Sequence, residues 1–208
     1  NILGNPMRTW DFNQRQLPDN SFVDEQRLYF TEYDQLHRPT KQWLSINSAT
    51  PIMVGSYKYQ DAVSIDVNNL NGQLIQHYDP SGRVEIVRRD FKGNVLETKR
   101  RLNNQPTESL IDWKINPENF LETETFTQIT EFDALNRMTK HYNWHRVAPN
   151  NCVAVYEPAY NKRGLLLSEN VTVRARKTAG GFDTESDTTA SDAIKEMRYN
   201  VKGQKEFL

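Results

Sequence analysis

A single cysteine, Cys152, occurs in 208 residues. That excludes an internal disulfide framework and any thiolate-rich metal site. Long apolar runs are missing as well. A run such as Leu165-Leu166-Leu167 falls far short of the ~20 residues a helix needs to span a bilayer. Charge of one sign is also lacking: 26 Lys and Arg face 27 Asp and Glu, a net charge of −1. The chain therefore carries no electrostatic reason to expect nucleic acid or an anionic membrane as partner. Hydrophobic residues make up only 37%, so the fold is expected to keep more wetted surface than an ordinary enzyme of this size. The opening Asn1-Ile2-Leu3-Gly4 has neither the basic flank nor the apolar core of a secretory signal.

What the sequence does have is a recurring phrase. An aromatic residue is followed by Asp or Asn, two variable residues, Gly or Asn, a polar residue and often an apolar one. The clearest copy is Tyr78-Asp79-Pro80-Ser81-Gly82-Arg83-Val84. Others begin at Tyr33 (with His37 in the fifth place), Phe132 (Asn136), Tyr160 (Gly164) and Tyr199 (Gly203). Copies without the initial aromatic place Gly72 and Gly93 fifth, and Asn1 to Met7 is an eighth copy, cut through its first place, with Gly4 fifth. Asp or Asn in the second place can fold back onto main-chain N–H groups and nucleate a turn. Gly4, His37, Gly72, Gly82, Gly93, Asn136, Gly164 and Gly203 are residue types that tolerate positive φ, as tight turns between antiparallel strands require.

The intervals agree. Gly72, Gly82 and Gly93 are spaced for one strand of about six residues plus a turn. Between them the pattern has period 2, which predicts a three-strand meander from Gln73 to Leu102 with one polar and one mixed face. Strands are expected around Trp43–Ile46 and Met53–Tyr59, from Phe126 to Trp144, and as a pair at Val153–Tyr156 and Leu165–Val173. The segment Glu108–Lys114 reads as one or two helical turns. The stretch 177–192, almost without apolar residues beyond Phe182, reads as an exposed polar loop. The whole is an all-β antiparallel meander, a single segment over 1–208.

The Tyr-Asp-x-x-Gly-Arg phrases resemble the YD-repeat (Rhs-type) proteins. So do Leu3-Gly4-Asn5-Pro6, Asp90-Phe91-Lys92-Gly93-Asn94-Val95-Leu96 and their order along the chain. They are similar in particular to the repeat region of bacterial Rhs and insecticidal toxin-complex cocoon proteins. The resemblance covers nearly the whole chain except 177–192 and part of 103–125. It implies a fragment of a large curved β-sheet shell that encapsulates or presents a toxin polypeptide. Its partners would be the remainder of the shell polypeptide or a companion shell subunit, and the enclosed toxin. It also implies a secreted or cell-surface bacterial location, and no enzymatic activity in this segment. Family members cleave themselves at terminal aspartates; Asp79-Pro80-Ser81-Gly82 is loosely similar but sits mid-array, so no catalytic role is carried over. The chain reads as an internal piece of something longer.

The remaining constellations are weak, and neither a cofactor nor a metal is expected. His141 and His145 would share a face of a helix, but their surroundings read as strand, where a zinc pair has no support. Asp183, Glu185 and Asp187 lack the Gly and distal Glu of a calcium loop. Cys152 has no patterned His and Asp partners. Lys99-Arg100-Arg101 and Arg174-Ala175-Arg176-Lys177 read as solvated strand ends. Asn170-Val171-Thr172 is a glycosylation sequon. Tyr33, Tyr78, Tyr160 and Tyr199 occupy equivalent places in the phrase. They read first as a structural aromatic ladder, with a carbohydrate-stacking platform on a cell-surface module as the alternative.

Overall fold

The computed structural model describes residues 2–108, 110–146, 152–178, 181–183 and 189–207. Strands follow one another in order: β1 (Arg8–Gln16), β2 (Phe22–Tyr33), β3 (Pro39–Ile46), β4 (Ile52–Tyr59), β5 (Leu74–Asp79), β6 (Gly82–Arg89) and β7 (Val95–Leu102). They continue as β8 (Phe126–Phe132), β9 (Met138–Arg146), β10 (Cys152–Tyr160), β11 (Leu166–Thr178), β12 (Gly181–Asp183) and β13 (Thr189–Ile194). Each of β1 to β12 neighbours the next in a single sheet, and β13 pairs with β11. A separate ladder joins β14 (Arg198–Tyr199) to β15 (Lys205–Phe207). The fold is the all-β antiparallel meander that the period-2 pattern predicts.

The long sheet path is divided between two compact units. One comprises Asn1–Asp66, Leu70–Glu85 and Arg101–Thr123, the other Val67–Asn69, Ile86–Arg100 and Glu124–Leu208. In the first, the core lies on one sheet face, where Met53, Tyr78, Ile111, Trp113 and Leu121 are buried with Trp43 and Phe120 beside them. The segment that follows β7 supplies this cover. Asp112 accepts the Met53 N–H (2.9 Å) and the Trp113 N–H donates to the Met53 carbonyl (2.9 Å). The insertion thus docks on β4 through the Asp112 carboxylate and the Trp113 main-chain N–H, beside the indole in the core. Trp113 is 1% exposed, packs on Tyr78 (centroids 5.1 Å apart) and meets Phe120 edge-on. In the second unit, Val153 and Val155 are buried against Tyr142.

Two expectations need correction. The helical turn falls at Pro117–Phe120, a short 3-10 turn opened by proline, and not over Glu108–Lys114. There the Asp112 carboxylate and the Trp113 main-chain N–H bond to β4, and the Lys114 N–H goes to the Asp112 carboxylate. The stretch 177–192 is not simply a loop. Lys177 and Thr178 extend β11 and pair with β12, and β13 pairs with β11 from Val173 to Glu169. Main-chain pairing needs no apolar side chains, which is why composition hid these strands. Glu185 and Asp187 lie outside the described residues.

The Trp113 indole N–H is buried without a hydrogen-bond partner, a costly state for a donor. Truncation in Trp113→Ala should therefore cost about 3–5 kcal/mol in a urea titration. Trp113→Phe removes the orphan donor while keeping a ring, and should cost no more than about 1.5 kcal/mol.

Candidate functional site

The repeated phrase occurs in both units, and in five copies it builds one defined structure. In five copies the second residue is Asp34, Asp90, Asp133, Asn161 or Asn200. Its N–H donates to the carbonyl four residues on, at 2.9–3.0 Å, and its own carbonyl accepts the N–H three residues on, at 2.9–3.1 Å. Its side-chain Oδ1 accepts two further N–H groups, from the residues two and four places on. A three-residue hairpin loop closed this way needs its last residue left-handed. His37, Gly93, Asn136, Gly164 and Gly203 stand there with φ between 60° and 92°.

The sixth residue answers the second. Where the second is Asp, the sixth donates: Arg38 Nε to Asp34 Oδ2 (2.8 Å), Arg137 Nε to Asp133 Oδ2 (2.7 Å) and Asn94 Nδ2 to Asp90 Oδ2 (2.8 Å). Where it is Asn200, Gln204 accepts from it (2.9 Å). These contacts hold the carboxylates below their ordinary value of 3.8. At Asp34 the Arg38 main-chain N–H is the chief cause, and at Asp133 the Arg137 guanidinium is. At Asp90 desolvation opposes the shift and is outweighed by the bonds from Asn94 and Lys92.

A second contact links one phrase to the next. The first-place tyrosine donates its hydroxyl to the carbonyl of the seventh residue of the preceding phrase. Tyr33 bonds to Pro6 (2.7 Å), Tyr160 to Met138 (3.0 Å) and Tyr199 to Leu166 (2.8 Å). Arg137 also lies over the Tyr160 ring at 4.7 Å. Neighbouring turns are tied directly. Arg38 donates to the Gly72 carbonyl, Lys92 to the Ala134 carbonyl, Asn94 to Asn136, and Arg163 to the carbonyls of Asn200 and Val201.

The copy that looks clearest in the sequence is the exception. Successive strands run oppositely, so connections alternate between two rims. In the second unit the loops at 90–94, 133–137 and 161–165 share one rim; in the first, the loop at 34–38 and Pro80-Ser81 lie at opposite rims. Here Asp79 pairs directly with Gly82 across a two-residue loop, and Gly82 has φ 134°. A Cβ on Gly82 would come within 2.1 Å of the Arg101 carbonyl oxygen, so glycine is required for space as well as for conformation. Tyr78 is buried, and its hydroxyl goes to Glu118 (2.9 Å). Glu118 also takes Arg83 and Arg101, so Arg101 is not a solvated strand end. Gly72 closes the longer connection 60–73 between β4 and β5, and Gly4 precedes β1.

These placements bear on the alternative reading. A sugar platform needs an open ring face, and Tyr78 has 7% exposure. Tyr33, Tyr160 and Tyr199 are half-buried, with their hydroxyls engaged. His141 and His145 both lie in β9, where strand rise separates them by about 13 Å. His141 contacts Thr130 Oγ1 (2.9 Å) and burial pushes its pKa below the ordinary 6.5; buried His145 donates from Nδ1 to the Asn143 carbonyl. Cys152 is exposed. Thr172 of the sequon is 2% exposed in β11. Among the described residues, no group of three or more His, Cys, Asp or Glu could hold a metal. An open groove of about 480 Å³ lies along Asp90, Lys92, Glu131 and Asp133, but both aspartates there are committed to their turns. Sequence reasoning missed Glu118, whose partners come from distant strands.

What the geometry defines is an antiparallel β-sheet whose turns repeat one bonded phrase. No protein-family model and no curated protein matches the sequence. Solved structures do match in fold. The Tc holotoxin pore of Photorhabdus luminescens, solved with a TccC3 variant, is similar at a TM-score of 0.69 and 17% identity over 98% of this chain. TcdB2-TccC3 without its hypervariable C-terminal region gives 0.66 and 17% over 93%, and TcdB2-TccC3-Cdc42 gives 0.66 and 17% over 90%. The chain spans only 8–9% of the length of those chains. It has the fold of a stretch of these toxin-complex assemblies, as the phrase order predicted.

Two substitutions separate the turn's requirements. Gly93→Ala meets no atom within 4 Å and should cost only the left-handed penalty of about 1–2 kcal/mol in denaturant. Gly82→Ala, which drives a Cβ into β7, should cost about 4 kcal/mol or more.

Lowered carboxylate pKa values give stability that is complete above the unfolded value and lost as pH falls through the folded one. Thermal stability should therefore drop below pH 3.8, the ordinary value for Asp34, Asp90 and Asp133. Asp133→Asn keeps the turn acceptor, as Asn161 does, and should shrink that acid limb with a small loss at neutral pH. Asp133→Ala loses the acceptor as well and should melt lower at every pH, as read by circular dichroism.

Proposed function

We propose that this chain is a non-catalytic wall segment of a secreted, bacterial, toxin-complex-type β-sheet shell of YD-repeat construction, one that encapsulates or presents a toxin polypeptide. The observation that carries this reading is the use to which the conspicuous polar side chains are put. The aspartates, asparagines, arginines and tyrosines of the phrase bond to one another and to the main chain, which is what a stiff repeated wall needs. Its fold likeness to TcdB2-TccC3 and the Tc holotoxin pore supports the same reading. Its partners are then the rest of the shell, or a companion subunit, and the enclosed polypeptide.

Catalysis has less support. General acid–base groups work best with a pKa near the operating pH. Here the perturbed carboxylates move down, and perturbed phenols such as Tyr156 move up, to about 12, through burial and the Glu169 carboxylate. Among the described residues no helix is long and apolar enough to cross a membrane.

Limited proteolysis of the full-length parent polypeptide tests the reading. A segment lying outside the repeats should survive protease in the native assembly. It should become digestible when the wall is weakened by Asp133→Ala with Tyr160→Phe. Immediate digestion of every segment outside the repeats in the native protein would contradict enclosure.

A further inference from the structure

The segment after β7 folds back over the first unit's sheet, and Glu118 fastens it there. Tyr78 on β5 and Arg83 on β6 are a direct cross-strand pair, and β7, the next strand, supplies Arg101. All three side chains reach one carboxylate. The Tyr78 hydroxyl donates to Glu118 Oε1 (2.9 Å), Arg83 Nη1 donates to the same oxygen, and Arg101 Nη1 donates to Oε2 (2.6 Å). Arg83 has a second, looser neighbour in Glu85 at 3.7 Å.

The donors and the acceptor differ in where they stand. The two arginines belong to paired strands, and their side chains are only 16% and 19% exposed. Glu118 sits in the 3-10 turn of the connection, and its side chain is 52% exposed. The sheet thus holds a fixed seat of two guanidiniums and a phenol hydroxyl, with water at its mouth. That donor set suits a carboxylate. Desolvation works against the charged form of Glu118, but the Tyr78 hydroxyl and the two guanidiniums outweigh it and hold the carboxyl below its ordinary 4.5. Without a carboxylate, two largely buried cations would share the seat uncompensated. Closing the cover also leaves the Trp113 indole N–H without a partner, a cost of closure that the seat offsets.

We propose that Tyr78, Arg83 and Arg101 form a carboxylate-binding site that the chain closes with its own Glu118, which makes residues 110–122 a releasable cover. A carboxylate that reaches the seat competes with Glu118 for the same three donors. Release of Glu118 then loosens the cover over Met53 and Tyr78. Tethering gives Glu118 a high effective concentration, so the site takes up a free carboxylate readily only once Glu118 is removed. The inference does not rest on the wall reading, because every contact it uses lies within the first unit.

Amide hydrogen exchange on the whole chain, read by mass spectrometry, tests it. Glu118→Ala should speed exchange at least about tenfold in 110–122 and at Met53, and leave the turns of the second unit unchanged. Sodium acetate should slow that exchange again in a saturable way, whereas sodium chloride at equal ionic strength should not. Adding Arg83→Gln should abolish the acetate effect. If Glu118→Ala unfolds the whole chain, circular dichroism reads the same titration, and acetate should refold the variant where chloride does not. Unchanged exchange in Glu118→Ala overturns the proposal. So does a recovery that chloride matches, or one that survives Arg83→Gln.

Discussion

One interaction sets the rest of the structure: a short side-chain oxygen, from Asp or Asn, holding two main-chain N–H groups of the loop that follows it. With the residue three places on left-handed, the chain reverses in a fixed number of residues. Loop length fixes strand register, and in a sheet a one-residue slip would move every side chain to the opposite face. Tyr33, Tyr160 and Tyr199, each just before a turn, meet a particular carbonyl of the preceding phrase because that register is fixed. The phenol is thus a consequence of the turn and, once bonded, a check on it.

The variation among the copies follows the same chemistry. Asp in the second place is matched by Arg or Asn in the sixth, and Asn200 by the acceptor Gln204. Asn161 is followed by Leu165, whose own side chain has no polar atom to offer, and that turn still keeps its two main-chain bonds to Oδ1. The main-chain capture is therefore the constant part, and the side-chain pair is an addition. Histidine at position 37 and asparagine at 136 show that glycine is not indispensable where only a left-handed residue is needed. Gly82 answers a different demand, the close approach of a neighbouring strand.

Much of this was legible in the sequence because turn chemistry is local. Eight candidate turn residues were readable from spacing, and all eight have positive φ. The period-2 alternation gave the meander and its antiparallel sense. What stayed hidden depends on distant parts of the chain. The phrase at Tyr78 has the right letters, but strand count puts it on the opposite rim, and no local pattern records strand parity. The Glu118 carboxylate gathers Tyr78, Arg83 and Arg101 across long sequence separations. The pairing of β13 with β11 rests on main-chain groups, which leave no mark on composition.

The polar side chains of the phrase show a consistent commitment. They lie in repeated, mutually bonded turns rather than converging on a cleft, and the toxin-complex assemblies that share its fold are far longer. The central claim is that the second-place side chains hold their loops closed, and amide hydrogen exchange measures this directly. The account predicts slow exchange at the N–H groups of Arg38, Asn94, Arg137, Leu165 and Gln204, each bonded to an Asp or Asn Oδ1 at the tip of an otherwise wetted loop. Exchange at those five amides as fast as in an unstructured peptide would contradict it.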